Sequence, residues 1–354
     1  MKNPTNKILT LILVGLFAFN QKTYSQENFG EIFRAGPADA NTYIQKYSEA
    51  IGLSFNSGLG SGWYNTAKPH KLLGFDLTAT LNVAAIPDED IRFQFNQSDY
   101  DVLELESGNG SLPSLVGGSS DNNFLVVPAG TIIQGDNGPI TYQNDKVFAA
   151  PDGIIDANDY PAVGTPVPAF QLGIGLMKNT DLKIRYASDL GSIEDGSVRL
   201  IGFGVLHDLK QWIPGLKQVP VDVSGFFGYT SLKVEYNFEE SGDGYEVSNG
   251  LAELKANSTT VQIVASKQLA ILTPYVGVGY NIAGSSFKVN GLFEYQEGLQ
   301  TAEIVDPVDL KFTGGSTPRI NAGLRVKLLV LTLHAEYAIQ KYNTFTLGAG
   351  ISIR

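Results

Sequence analysis

The stretch Ile320-Asn321-Ala322-Gly323-Leu324-Arg325-Val326-Lys327-Leu328 alternates apolar with polar or small residues, and the pattern then repeats twice. Leu331-Thr332-Leu333-His334-Ala335-Glu336-Tyr337-Ala338-Ile339 and Thr344-Phe345-Thr346-Leu347-Gly348-Ala349-Gly350-Ile351-Ser352-Ile353 keep the same period of two. Successive side chains of a strand point to opposite faces, so each run has one greasy and one polar face. Each is about the 9–11 residues that a tilted membrane-crossing strand needs. Leu73 to Ala85 reads the same way, with Leu73, Phe75, Leu77, Ala79, Leu81 and Val83 against Gly74, Asp76, Thr78, Thr80 and Asn82.

Weaker runs lie at Ala50–Asn56, Ile91–Phe95, Phe170–Met177, Leu182–Ala187, Val198–His207, Val219–Tyr236, Thr259–Ser266 and Tyr275–Ile282. Val219–Tyr236 loses phase near Gly225-Phe226-Phe227, which reads as a bulge. The expected fold is all-β, a transmembrane antiparallel barrel of about 12 strands (alternatively about 14), with a short N-terminal helix placed in its lumen. A soluble secreted sandwich or barrel alternates as well, with its greasy face turned inward. Strand length, loop asymmetry and the C-terminal strand favour the membrane form.

Lys2 and Lys7 precede an apolar run from Ile8 to Phe19, and Thr23-Tyr24-Ser25 offers small residues for cleavage. This is the pattern of a secretory signal over residues 1–25 rather than of a membrane helix. The chain has no cysteine, which excludes disulfides, thiolate metal sites and a lipidated cysteine. Its net charge is −11, and loss of Lys2, Lys7 and Lys22 with the signal makes it −14. Such a balance speaks against nucleic acid as a partner. Residues 26–50 are expected to form a lumen plug, and 51–354 the barrel. Its long external loops are expected at 97–168, 237–258 and 284–319, and its short turns at the periplasmic end. Acid clusters at Asp99, Asp101, Glu104 and Glu106, and at Glu239, Glu240 and Asp243, suit a lipopolysaccharide surface bridged by divalent cations.

The end of the chain resembles the terminal signal that outer-membrane barrels present to the barrel-assembly machinery, although the usual final aromatic is replaced by Ile353-Arg354. Two other stretches are similar to an uncharacterised, domain-of-unknown-function family of Gram-negative outer-membrane barrels. They are Ser61-Gly62-Trp63-Tyr64-Asn65-Thr66-Ala67-Lys68-Pro69-His70 with Gly74-Phe75-Asp76-Leu77-Thr78, and His207 to Lys217. That resemblance implies location and fold, and no activity. An N-terminal segment able to enter the barrel is more distantly similar to outer-membrane transporters of long-chain fatty acids and hydrocarbons.

Pro37 to Ile51 reads as a helix, with Pro at its start, Gly52 just past its end, and Tyr43, Ile44 and Tyr47 on one face as plug residues. The inward face carries glycines and the charges Asp76, Lys183, Arg185, Arg325, Lys327, His334 and Glu336, expected to form a paired network. In the link His207–Lys217, Trp212 and Pro214 suggest an interfacial anchor or a periplasmic docking surface. Asp152, Asp156 and Asp159 echo half of a calcium loop, but Phe148 and Ala150 stand where oxygen ligands belong. His70 is expected outside, and His334 with Glu336 and Ser352 is the only constellation that could resemble catalytic machinery.

No enzyme, cofactor or metal is therefore expected. The leading function is passive passage of small solutes, hydrophobic ones included, with outer-membrane lipid, lipopolysaccharide and the assembly machinery as partners. The second is a structural or docking envelope protein without transport. A continuous lumen favours the first, and a filled lumen under an ordered cap favours the second.

Overall fold

Alternation along Phe75–Ala85 resolves into exposed apolar and buried polar positions: Phe75 and Leu77 face outward, while Asp76, Thr78, Thr80 and Asn82 are buried. A soluble barrel would show the reverse, so this strand wears its greasy face on the outside. The computed structural model describes residues 30–153, 164–188, 196–242 and 244–353. The expected signal peptide lies outside the described residues.

Ten of the described strands close a ring. They are β1 (Phe75–Ala85), β2 (Gly164–Leu176), β3 (Thr180–Ser188), β4 (Gly196–Asp208), β5 (Asp222–Gly242), β6 (Tyr245–Ser266), β7 (Leu272–Glu297), β8 (Val308–Leu328), β9 (Leu331–Ile339) and β10 (Thr344–Ile353). Every neighbouring pair is antiparallel; β1 pairs β10, and β6 pairs β7. Closure satisfies all ladder groups, which is what lets strands cross lipid. The outward belt of Phe170, Ile184, Ile201, Phe203, Ile263, Val278, Ile320, Leu333, Leu347 and others completes a transmembrane β-barrel. A further strand, Gln300–Val305, pairs the upper part of β7 without entering the ring.

Two expected barrel strands lie elsewhere. Ala50–Asn56 belongs to helix α1, which runs Pro37–Leu59 and does not stop at Gly52. A side chain at Gly52 would place its Cβ 2.9 Å from Ser285 Oγ, so this glycine lets the helix approach the wall instead of ending it. Ile91–Phe95 contributes only Arg92–Gln94, paired with Ser111–Pro113 in the long β1–β2 connection. The expected bulge at Gly225-Phe226-Phe227 is absent, because β5 keeps register with β4 and β6 through it and shifts between Phe238 and Glu240. The two phenylalanines simply face opposite ways: Phe226 is buried in the lumen and Phe227 is exposed.

The stretches 237–258 and 284–319 are mainly strand rather than loop, because β5 to β8 run 21 to 26 residues. That is about twice what a bilayer crossing requires, or more. Their upper parts rise as a wall, and residues 86–153 fold over it as a cap. Within the cap, Glu104–Ser107, Phe124–Val127 and Lys146–Ala149 form one small sheet, and Ile132–Gly135 pairs Gly138–Thr141. The cap's Tyr100, Leu103, Leu125, Ile140 and Tyr142 share a single core with Ile32, Phe33, Tyr43, Ile44 and Tyr47 and with Val289, Phe293 and Phe312 of the wall. Each large apolar side chain buried there contributes about 1.5–3 kcal/mol. The opposite end of the barrel has tight turns at residues 177–179, 267–271 and 329–330, and the longer link 209–221.

Candidate functional site

Helix α1 lies inside the ring, packed on β1, β2, β5, β6, β7 and β8. Residues 60–74 then descend through the lower lumen to reach β1 at the short-turn end. The chain thus threads the barrel from the cap end before building its wall. At the top, buried Asp39 accepts the backbone N–H groups of Asp101, Val102 and Leu103 at 2.9, 2.7 and 2.7 Å, tying the cap to the plug. Midway, Ser54 donates to the Ala84 carbonyl at 2.8 Å.

The inward charges grip this segment. Arg185 donates to the Leu59 carbonyl at 3.2 Å and to Gln171 at 3.3 Å, and its guanidinium lies 3.8 Å over the Trp63 ring. Arg319, which the sequence reading did not single out, donates to Ser61 Oγ at 2.7 Å, Gln340 at 2.9 Å and Glu336 at 2.9 Å. Trp63, Tyr64 and Ala67 pack with Leu206, Phe226, Val264 and Tyr275. The inward glycines are sockets for these rings. A Cβ at Gly204 would come 3.1 Å from Trp63, and one at Gly277 would come 2.3 Å from the Tyr64 hydroxyl. Room that could have been an aqueous path is taken by aromatic side chains.

Near the short-turn end His70 is buried in the lumen, not outside as expected. Its backbone N–H donates to Asp181 Oδ1 at 2.7 Å, and its Nδ1 lies 2.9 Å from Asp181 Oδ2. Its Nε2 lies 3.2 Å from Ser352 Oγ and 3.7 Å from Asp76 Oδ1, and Lys183 Nζ stands 3.5 Å from that same Asp76 oxygen. Ligating atoms of His70, Asp76 and Asp181 fall within 4.8 Å of one another, close enough to hold a metal ion, although Lys183 already supplies positive charge there. Asp181 and Ser352 both occupy inward positions of their strands. The missing signal was the path of residues 60–74, which no periodicity encodes.

The one catalytic-looking grouping that the sequence offered, His334 with Glu336 and Ser352, does not assemble. Glu336 pairs with Arg319, Ser352 faces His70, and His334 sits over Gly348, where a Cβ would lie 2.0 Å from its ring. Arg325 is buried and Lys327 half-buried beside a cavity of about 220 Å³, which Gln268, Thr273 and Leu329 also line at the short-turn end. Trp212 is exposed, with its Nε1 donating to His207 Nε2 at 2.7 Å, and Pro214 opens the short turn Pro214–Gln218. Asp152 is engaged structurally: Oδ1 accepts Ser120 N–H at 2.7 Å, and its carbonyl accepts the Tyr47 hydroxyl at 2.8 Å. Asp156 and Asp159 lie outside the described residues.

Lys146 and Glu297 form an ion pair at 2.6 Å where the cap meets the tip of β7. The hydrogen bond from Lys146 holds the Glu297 carboxyl below its usual range. Burial pushes the Tyr142 phenol in the adjoining core up to about 12.

The model of the Family of unknown function (DUF6588) matches residues 1–353. No curated protein matches the chain. Among solved structures, the chain is similar to the attachment invasion locus protein Ail of Yersinia pestis at 17% identity and TM-score 0.24, over 52% of this chain and 97% of that one. It is similar to the transport unit of the autotransporter AIDA-I from Escherichia coli at 10% identity and TM-score 0.34, over 87% and 99% of the two chains. The Ralstonia pickettii toluene transporter TbuX matches at 8% identity and TM-score 0.22, over 94% and 100%.

Proposed function

The chain belongs to this family of unknown function, and from its own geometry we propose that it is a plugged outer-membrane barrel that displays an acidic cap and acts as a docking protein of the cell envelope. The observation that carries the reading is the filled lumen: residues 30–74 occupy it from the cap to the short-turn mouth, held by Arg185, Arg319 and Asp181. Passage of a solute would require that segment to move. A structure that instead joins plug, wall and cap in one core is suited to presenting a rigid surface.

In this reading the signal is cleaved near Ser25, the outward belt meets outer-membrane lipid, and the cap stands outside among lipopolysaccharide. Residues 86–153 carry eleven Asp and Glu against Arg92 and Lys146, a net charge of −9. Such a surface steers cationic partners and weakens its hold as salt rises. Protease applied to intact cells should cut within residues 86–163. Cleavage seen only after the cells are opened would turn the cap toward the periplasm and end the surface-docking reading.

A further inference from the structure

We infer that the rim at the short-turn end is a docking surface for anionic phospholipid headgroups, with the link 209–221 as its grip. The inference goes beyond the docking reading, which concerns the cap at the opposite end, and either can fail while the other stands.

Residues 68–74, the turns 177–179, 267–271 and 329–330, and the link 209–221 make up this end. They carry Lys68, Lys71, Lys178, Lys210, Lys217 and Lys267 and no Asp or Glu, a charge of +6 against −9 on the cap. All of these lysines but Lys210 are exposed. Of the acids at the adjoining strand ends, Asp208 accepts the Lys210 backbone N–H at 2.8 Å and Asp222 is half-buried. Such a ring attracts anions, and the apolar belt decides which kind. The belt reaches the turns themselves, where Leu176 with Met177, Ile271 with Leu272, and Leu328 to Leu331 are exposed. Lipid stabilises such a surface and water does not, so acyl chains extend down to this end. The lysines then stand at the height of the phosphates, with apolar stems along the chains and ammonium groups in the headgroup layer.

The link is ordered for this contact. Lys210 Nζ donates to the Val219 and Val221 carbonyls at 2.8 and 2.7 Å, closing the link on itself. Gln211 Nε2 donates to the Lys178 carbonyl at 2.8 Å, fastening the link to the neighbouring turn. The indole of Trp212 reaches His207, which pairs with Thr180 across β4 and β3. Both of those positions face outward, because the adjoining Leu206 and Asp181 are buried inside the ring. The indole therefore meets the lipid side of the wall, at the level where amphipathic rings collect. Ile213, next in sequence, is exposed as well. Lys178 stands on the turn bonded to the link, and Lys217 on the short turn Pro214–Gln218 that follows Ile213. An anionic headgroup beside the indole gains from both ammonium groups. A zwitterionic headgroup brings a cation of its own and loses most of that attraction.

The test uses the full chain, folded into phosphatidylcholine vesicles and checked by its gel shift on heating. The vesicles carry a minor share of brominated phosphatidylglycerol or, in parallel, the same share of brominated phosphatidylcholine. Bromine quenches an indole that it touches, and Trp212→Phe gives the background from buried Trp63, the only other tryptophan. Quenching of Trp212 should show a preference for phosphatidylglycerol of about fivefold or more, as for one engaged lysine. The preference should shrink as salt rises. Lys178→Gln combined with Lys217→Gln should bring it near unity while quenching by phosphatidylcholine stays unchanged, the indole still sitting in lipid. Equal quenching of the native chain by the two lipids would overturn the proposal, and would assign the rim to a second copy if the chain also dimerises in the vesicles. A preference that survives loss of both lysines would overturn it as well.

Discussion

The lower and upper halves of β7 follow one alternation with opposite sign. Below, Val276, Val278, Tyr280 and Ile282 point outward, and Thr273, Tyr275 and Asn281 point into the lumen. Above, Val289, Phe293 and Tyr295 are buried inward, while Lys288 and Glu294 face away. β8 makes the same exchange across Gly314, the extra residue where its register with β7 shifts between Ala283 and Gly284. Lipid rewards apolar residues on the outside of a barrel; water rewards them inside. One strand pair thus serves as membrane wall below and as half of a soluble core above, and the sign change marks where the membrane ends.

The largest expected effects come from breaking each half by its own rule. Arg319→Met removes the partner of Glu336, both being nearly inaccessible. Leaving one buried charge uncompensated should cost about 3–5 kcal/mol. Phe293→Ala in the upper core should cost a similar amount, about 3–5 kcal/mol, through cavity formation. Urea unfolding in detergent micelles measures both. A loss below about 1 kcal/mol for Arg319→Met would mean the lower lumen is wetter than its geometry implies.

The outward face sharpens the contrast. Val278→Arg, in the belt, should destabilise the barrel in lipid by about 2–4 kcal/mol. Lys288→Val, on the same strand above the sign change, should stay within about 0.5 kcal/mol. Equal effects at the two positions would move the membrane boundary.

The smallest effect is acid-dependent and confined to the cap. Glu297 is held below its usual range by Lys146, so its share of cap docking is fully present above the ordinary Glu range near about 4.3. That share is lost as pH falls through the lowered value. Limited proteolysis should find the cap loosening at low pH in the native chain, with a shallower pH dependence in Glu297→Gln.

These contrasts explain what could be read from residues alone. β1, β9 and β10 were legible to within a residue or two because each is about one bilayer long and holds a single sign throughout. The stretch 284–319 looked like a loop because its apolar positions change face midway. Helix α1 looked shorter than it is because Gly52 served close packing rather than a stop. The charges Asp76, Lys183, Arg185, Arg325, His334 and Glu336 follow from strand parity, and the structure buries them inside the ring. Their partners do not follow from it. Arg185 meets Trp63 and Asp181 meets His70 only because residues 60–74 fill the lumen, a long-range placement that local pattern does not carry.

Planar-bilayer recording tests the filled lumen most directly. The full chain should insert without ohmic steps above background, while a chain lacking residues 30–59 but still folded should give stable open steps. Porin-like conductance from the intact chain, unchanged by that deletion, would contradict the account.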